Sequence, residues 1–71
     1  MKKEELQIKI GLRIIELREQ KEWSQSDLAR ACNKDRQAIE RLESGRFNPT
    51  IFTLYEVATA LGVSLSKVVA L

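Results

Sequence analysis

Residues that open helices recur at short intervals in this 71-residue chain: Ser24, Asp35, Thr50 and Ser64. Each carries a side-chain oxygen able to accept from the free N–H groups at a helix start. Between them stand Asn33, Gly45 and Gly62, residues that close helices because they tolerate a left-handed backbone. A chain punctuated this finely can form only short helices after residue 23. No segment alternates apolar and polar residues long enough for a strand, so the expected fold class is all-α.

The first helix is predicted from about Glu4 to Lys21, with Leu6, Ile10, Ile14 and Leu17 on one face. Ile8, Leu12 and Ile15 form a second stripe nearly opposite, either a contact surface or an exposed liability. Ser24 and Asp27 are spaced for a capping box, and Trp23 and Leu28 for a hydrophobic staple. This second helix is expected to end near Cys32, before Asn33. The third, capped by Asp35, covers Arg36 to Glu43 with Ile39 and Leu42 inward. Thr50 opens a fourth that turns Leu54, Val57, Ala58 and Leu61 inward. Ser64 caps a short last helix with Leu65 and Val68 inward.

Composition removes whole classes of function. The chain has one cysteine, Cys32, and no histidine. A disulfide framework, the usual zinc ligand sets and histidine catalysis are therefore excluded. There is no phosphate-cradling glycine loop and no paired carboxylates in a plausible pocket, so no enzyme, metal, cofactor or small-molecule ligand is expected. The longest apolar run, Val68 to Leu71, is far short of the roughly 20 residues of a membrane span. The start, Met1-Lys2-Lys3-Glu4-Glu5, turns acidic where a secretory signal turns apolar, and the expected location is cytoplasmic.

Net charge is only +2, from 12 basic and 10 acidic residues. Its distribution says more. Residues 30–46 hold Arg30, Lys34, Arg36, Arg41 and Arg46 against Asp35, Glu40 and Glu43, while residues 47–71 hold only Glu56 and Lys67. Two short helices joined by a turn of about three residues form a helix-turn-helix unit, here about residues 24–44. Ala29 is small enough for the helix crossing, and Asn33 suits the turn. The third helix is left with Arg36, Gln37, Glu40, Arg41 and Ser44 outward. Arginine can donate twice to guanine and glutamine can pair with adenine, so Arg36, Gln37 and Arg41 are candidate base readers in a major groove. Ser24 and Gln25 start the second helix, where free N–H groups favour phosphate; Lys34, Ser44 and Arg46 flank the third and suit the same backbone. Glu40 has two readings: acceptor from a cytosine amino group, or orienting partner for Arg36 or Arg41.

Ser24-Gln25-x-x-Leu28-Ala29, Asp35-Arg36-x-x-Ile39, Glu43-x-Gly45, Asn48-Pro49-Thr50-x-x-Thr53-Leu54 and Ala60-Leu61-Gly62-Val63-Ser64 occur in that order. So does Ile10-Gly11-x-Arg13-Ile14-x-x-Leu17-Arg18. Together they resemble the Cro/phage-repressor (XRE-type) helix-turn-helix family over about residues 10–68. The resemblance implies a five-helix, lambda-repressor-like domain that binds double-stranded operator DNA as a homodimer and regulates transcription. Controllers of restriction–modification operons, antitoxins and small phage repressors are built similarly. By position, Arg36, Gln37 and Arg41 resemble the family's base readers and Gln25 its phosphate contact. Arg18 and Glu43 match an ion pair joining the first helix to the end of the third.

Three departures from the family pattern stand out. Lys34 takes a position usually held by valine or isoleucine. Leu12 and Ile15 replace residues usually polar. Phe52 and Tyr55 add apolar surface to the fourth helix. Phe47, Phe52, Tyr55, Val69 and Leu71 are the candidate dimer contacts, with some of them expected to complete the core. Ile8, Leu12 and Ile15 keep open a second reading, an antitoxin-type module that binds another protein. Trp23 is read as core and staple, and Cys32 as a small buried hydrophobe.

Overall fold

The computed structural model describes residues 1–71 and contains five helices: α1 (Lys3–Gln20), α2 (Gln25–Ala31), α3 (Arg36–Glu43), α4 (Ile51–Leu61) and α5 (Leu65–Val68). The starts of α2 to α5 follow from local side-chain chemistry. Ser24 Oγ accepts from the Asp27 N–H at 3.0 Å while Asp27 Oδ2 accepts from the Ser24 N–H at 2.8 Å, closing the capping box. Asp35 accepts from the Ala38 N–H at 2.7 Å, Thr50 from Thr53 at 3.1 Å and Ser64 from Lys67 at 3.3 Å. Each cap satisfies a donor that the helix itself leaves orphaned.

The first four helices end alike. A residue with positive φ follows the last turn: Glu22 (59°), Asn33 (57°), Gly45 (80°) and Gly62 (73°). Its N–H reaches back three residues, and the next N–H reaches back five, as Trp23 to the Arg18 carbonyl and Lys34 to that of Ala29. This double return satisfies the last carbonyls. Asn33, Gly45 and Gly62 match the expected stops. Glu22 is a stop without a sequence signal, since glutamate pays the left-handed steric cost that glycine avoids.

One core unites all five helices. Ile10, Ile14 and Leu17 from α1 meet Leu28 and Ala29, Ile39 and Leu42, Leu54, Val57, Ala58 and Leu61, and Val68. Leu6 departs from its expected place: α1 overshoots the core there, and Leu6 is exposed. Cys32 is half-buried; burial raises its thiol pKa, and Sγ donates to the Leu28 carbonyl. Trp23 packs on the core edge, with Lys21 Nζ 4.7 Å above its ring.

α1 holds α3 by close backbone approach. A Cβ at Gly11 would lie 2.4 Å from the Glu43 carbonyl oxygen. One turn earlier, Gln7 Nε2 donates to the Gly45 carbonyl at 2.9 Å. Two residues beyond Gly11, Arg13 Nε donates to the Lys67 carbonyl at 2.9 Å and ties α1 to α5. No helix is long and apolar enough to cross a membrane.

Candidate nucleic-acid interface

α2 and α3 present one shared polar face because Ile39 and Leu42 anchor α3 inward and the Asn33 turn fixes the crossing. Arg36, Gln37, Glu40 and Arg41 line a hollow on that face with no apolar residue among them. Arg36, Gln37 and Arg41 are exposed. The side chains of Gln37 and Arg41 have no hydrogen-bond partner within the chain, whereas Arg36 Nη1 donates to Gln25 Oε1 at 3.3 Å.

Behind Gln25 lies a buried carboxylate. Arg18 donates to Glu43 at two points, Nε to Oε2 at 2.7 Å and Nη2 to Oε1 at 3.0 Å. The Arg18 Nη1 donates to the Trp23 carbonyl at 2.8 Å. Gln25 Nε2 completes the set, donating to Glu43 Oε1 at 3.0 Å. The hydrogen bonds to Glu43 raise the Arg18 pKa above its ordinary value, against the opposing effect of burial. Gln25 is thereby fixed in orientation: its amide N–H points to Glu43 and its oxygen to Arg36. The expected pair of Arg18 and Glu43 is present, and Gln25 is a third member that spacing alone does not reveal.

The backbone-contact candidates are placed less simply. Ser24 Oγ serves the α2 cap, leaving its own O–H free to donate. Ser44 Oγ donates to the Arg41 carbonyl at 3.2 Å and accepts from Arg46 Nε at 3.0 Å. Arg46 Nη2 also donates to both oxygens of Glu40. The orienting partner of Glu40 is thus Arg46, rather than Arg36 or Arg41, because the left-handed Gly45 folds the chain back over the end of α3. Lys34 Nζ donates to Glu56 at 3.0 Å and joins the turn to α4. A polar residue therefore fits where the family pattern is apolar.

Large apolar side chains are also exposed. Phe47, Phe52, Tyr55, Val69 and Leu71 are all exposed, with the Phe52 and Tyr55 rings 6.2 Å apart. None of the five completes the core. Ile51, at the first turn of α4, is 69% exposed and belongs with them. Its signal was an apolar residue directly after the Thr50 cap. Leu6, Ile51, Val69 and Leu71 border a groove of about 340 Å³ between α1, α4 and the last residues. On α1, Ile8 and Leu12 are exposed and Ile15 is half-buried.

The sequence profile of the helix-turn-helix family matches residues 14–68. The chain belongs to that family. Members of the helix-turn-helix family of this type are DNA-binding transcriptional regulators and not enzymes. Among relatives, an uncharacterized HTH-type transcriptional regulator of Sinorhizobium fredii is 42% identical over 55 residues, covering 78% of this chain and 71% of that protein. The immunity repressor protein of Bacillus phage phi105 is 37% identical over 60 residues, covering 84% of this chain and 42% of the repressor. Among solved structures, the restriction-modification controller protein C.AhdI from Aeromonas hydrophila superposes with a TM-score of 0.90 at 29% identity, over 96% of this chain and 99% of that one. A hypothetical transcription factor from Neisseria gives 0.87 at 29% identity, over 97% and 79%. This helix-turn-helix chain is a transcriptional regulator of the repressor family.

Proposed function

We propose that the protein binds a palindromic or pseudo-palindromic DNA site as a homodimer, with α3 of each copy in a major groove and half-sites about one helical turn apart. Arg36, Gln37 and Arg41 read base edges. Ser24, Gln25, Ser44 and Arg46 meet the phosphate backbone, and affinity falls steeply with salt. Lys34 is a further backbone contact, which it would make by exchanging its partner Glu56 for phosphate. The observation that carries the reading is the pair Gln37 and Arg41, exposed on a wholly polar hollow and without any partner of their own.

Dimerisation is assigned to the apolar surface of α4 and the last residues: Ile51, Phe52, Tyr55, Val69 and Leu71, with Phe47 beside them. Its exposed aromatic and aliphatic groups match the composition of interface cores. A second protein partner remains the alternative use of Ile8, Leu12 and Ile15, favoured by the 58% exposure of Leu12.

Selection of bound duplexes from a random pool, followed by protection mapping, tests the proposal. An inverted repeat protected on one face at two places one turn apart is expected, with sedimentation giving twice the chain mass. A chain that ignores every duplex at low ionic strength overturns it, and a single-copy footprint overturns the dimer.

A further inference from the structure

We infer that Glu40 determines specificity on this face by demanding an exocyclic amino group, cytosine N4 or adenine N6, from the site it meets. The inference rests on the DNA-binding reading above and concerns a residue to which that reading gives no role.

Glu40 shares its hollow with Arg36, Gln37 and Arg41. It is nevertheless committed to none of them, because both of its oxygens accept from Arg46 Nη2. That pair is open to solvent, with 62% of the Arg46 and 39% of the Glu40 side chain exposed. Exposed pairs are weak and exchange readily. A phosphate offers Arg46 a charge-assisted, two-point alternative.

The exchange has a consequence for Glu40. A carboxylate can only accept hydrogen bonds. In the major groove only cytosine N4 and adenine N6 donate; guanine N7 and O6, thymine O4 and every phosphate oxygen accept. Opposite cytosine or adenine, Glu40 gains a donor and Arg46 is free for the backbone. Opposite guanine or thymine, Glu40 either stands unpaired in a negative field or takes Arg46 back and cancels the phosphate contact. Arg36 and Arg41 are no substitutes, because diverting either would remove a base reader. The pair thus makes a backbone contact conditional on sequence.

The test compares wild type, Glu40→Ala, Glu40→Gln and Arg46→Ala. Each is used to select from the same random duplex pool, then titrated over a salt series on the wild-type winner and on a random-sequence duplex. Wild type is expected to select cytosine or adenine at one position per half-site. Glu40→Ala loses that preference alone and binds random duplex roughly three- to tenfold more tightly. Its salt dependence on random duplex steepens by about 0.9 per subunit, and Arg46→Ala flattens that of the wild-type winner by about the same amount. Glu40→Gln, nearly the same size and able to donate, broadens the preference to guanine or thymine. The inference is overturned if either Glu40 variant selects the same bases as wild type, if Glu40→Ala leaves random-duplex affinity unchanged or lower, or if Arg46→Ala leaves the slope unchanged. Wild type selecting nothing is a different result: it brings down the DNA reading itself before any variant is compared.

Discussion

Arg18 grips Glu43 at two points, with Nε 2.7 Å from Oε2 and Nη2 3.0 Å from Oε1. The grip is out of water: 12% of the Arg18 side chain and 3% of that of Glu43 is exposed. It joins α1 to the last residue of α3 and, through Gln25, orients Arg36. Removing either partner strands the other charge in the interior, a loss of about 3–5 kcal/mol. A domain of this length has a margin of only a few kcal/mol, so Arg18→Ala and Glu43→Ala are expected to be largely unfolded at 25 °C. The double replacement Arg18→Met with Glu43→Leu leaves no buried charge, only the Gln25 amide and the Trp23 carbonyl without these partners, and should stay folded. Circular dichroism with urea titration separates them; a single variant that loses under about 1 kcal/mol would contradict the burial argument.

Gly11 admits no side chain. A Cβ there would sit 2.4 Å from the Glu43 carbonyl oxygen and 2.8 Å from that of Leu42, both backbone atoms that cannot swing aside. Gly11→Ala is expected to destabilise by about 1–3 kcal/mol despite the better helix propensity of alanine. An unchanged or raised urea midpoint would show that α1 and α3 can separate freely.

Glu22 is the reverse case. Its φ of 59° carries a steric cost that glycine escapes. Glu22→Gly should stabilise by about 0.5–1 kcal/mol, after the loss of chain entropy in glycine is deducted. For a domain of this size that raises Tm by roughly 2–8 °C. A lower Tm in calorimetry would mean that the Glu22 side chain contributes more than its backbone costs.

These last two sites mark where sequence reading stops. The caps Ser24, Asp35, Thr50 and Ser64 were legible because each bonds a backbone N–H three residues away, a distance contained within one turn. The closure at Glu22 was not, because glutamate carries no preference for the left-handed backbone it adopts there. What Gly11 meets was not legible either, because α3 lies against it only after folding. The polar outward face of α3 followed from helical spacing alone. What its members bond to did not: Lys34 to Glu56 and Gln25 to Glu43 join residues that are neighbours only after folding.

Acid should loosen the start of α2. The Asp27 carboxylate accepts from the Ser24 N–H at 2.8 Å, and this bond, with the Ser24 hydroxyl beside it and the charge of Arg30, lowers its pKa. A lowered folded value means that the unfolded chain binds the proton more readily. The contribution is therefore complete above the ordinary aspartate pKa of about 4 and disappears as pH falls through the lowered value. Asp27→Asn should have a lower Tm than wild type at neutral pH, with the gap closing towards about pH 2. A gap that is constant with pH would remove the carboxylate from the account.

Arg41 separates base reading from general attraction. Arg41→Ala should cost about 1–3 kcal/mol on the selected duplex and relax one base position, while random duplex is bound only slightly less well. Equal losses on both, by fluorescence anisotropy at fixed salt, would assign Arg41 to phosphate instead.

The contact at Gly11 divides labour between the two sides of one short helix. The side that fastens α3 uses main-chain atoms of Leu42 and Glu43 together with the buried side chains of Ile39, Leu42 and Glu43, and none of the outward residues. The opposite side is therefore free to change its lettering without loosening its mount, and a relative with another vocabulary at 36, 37, 40 and 41 can keep the same docking angle.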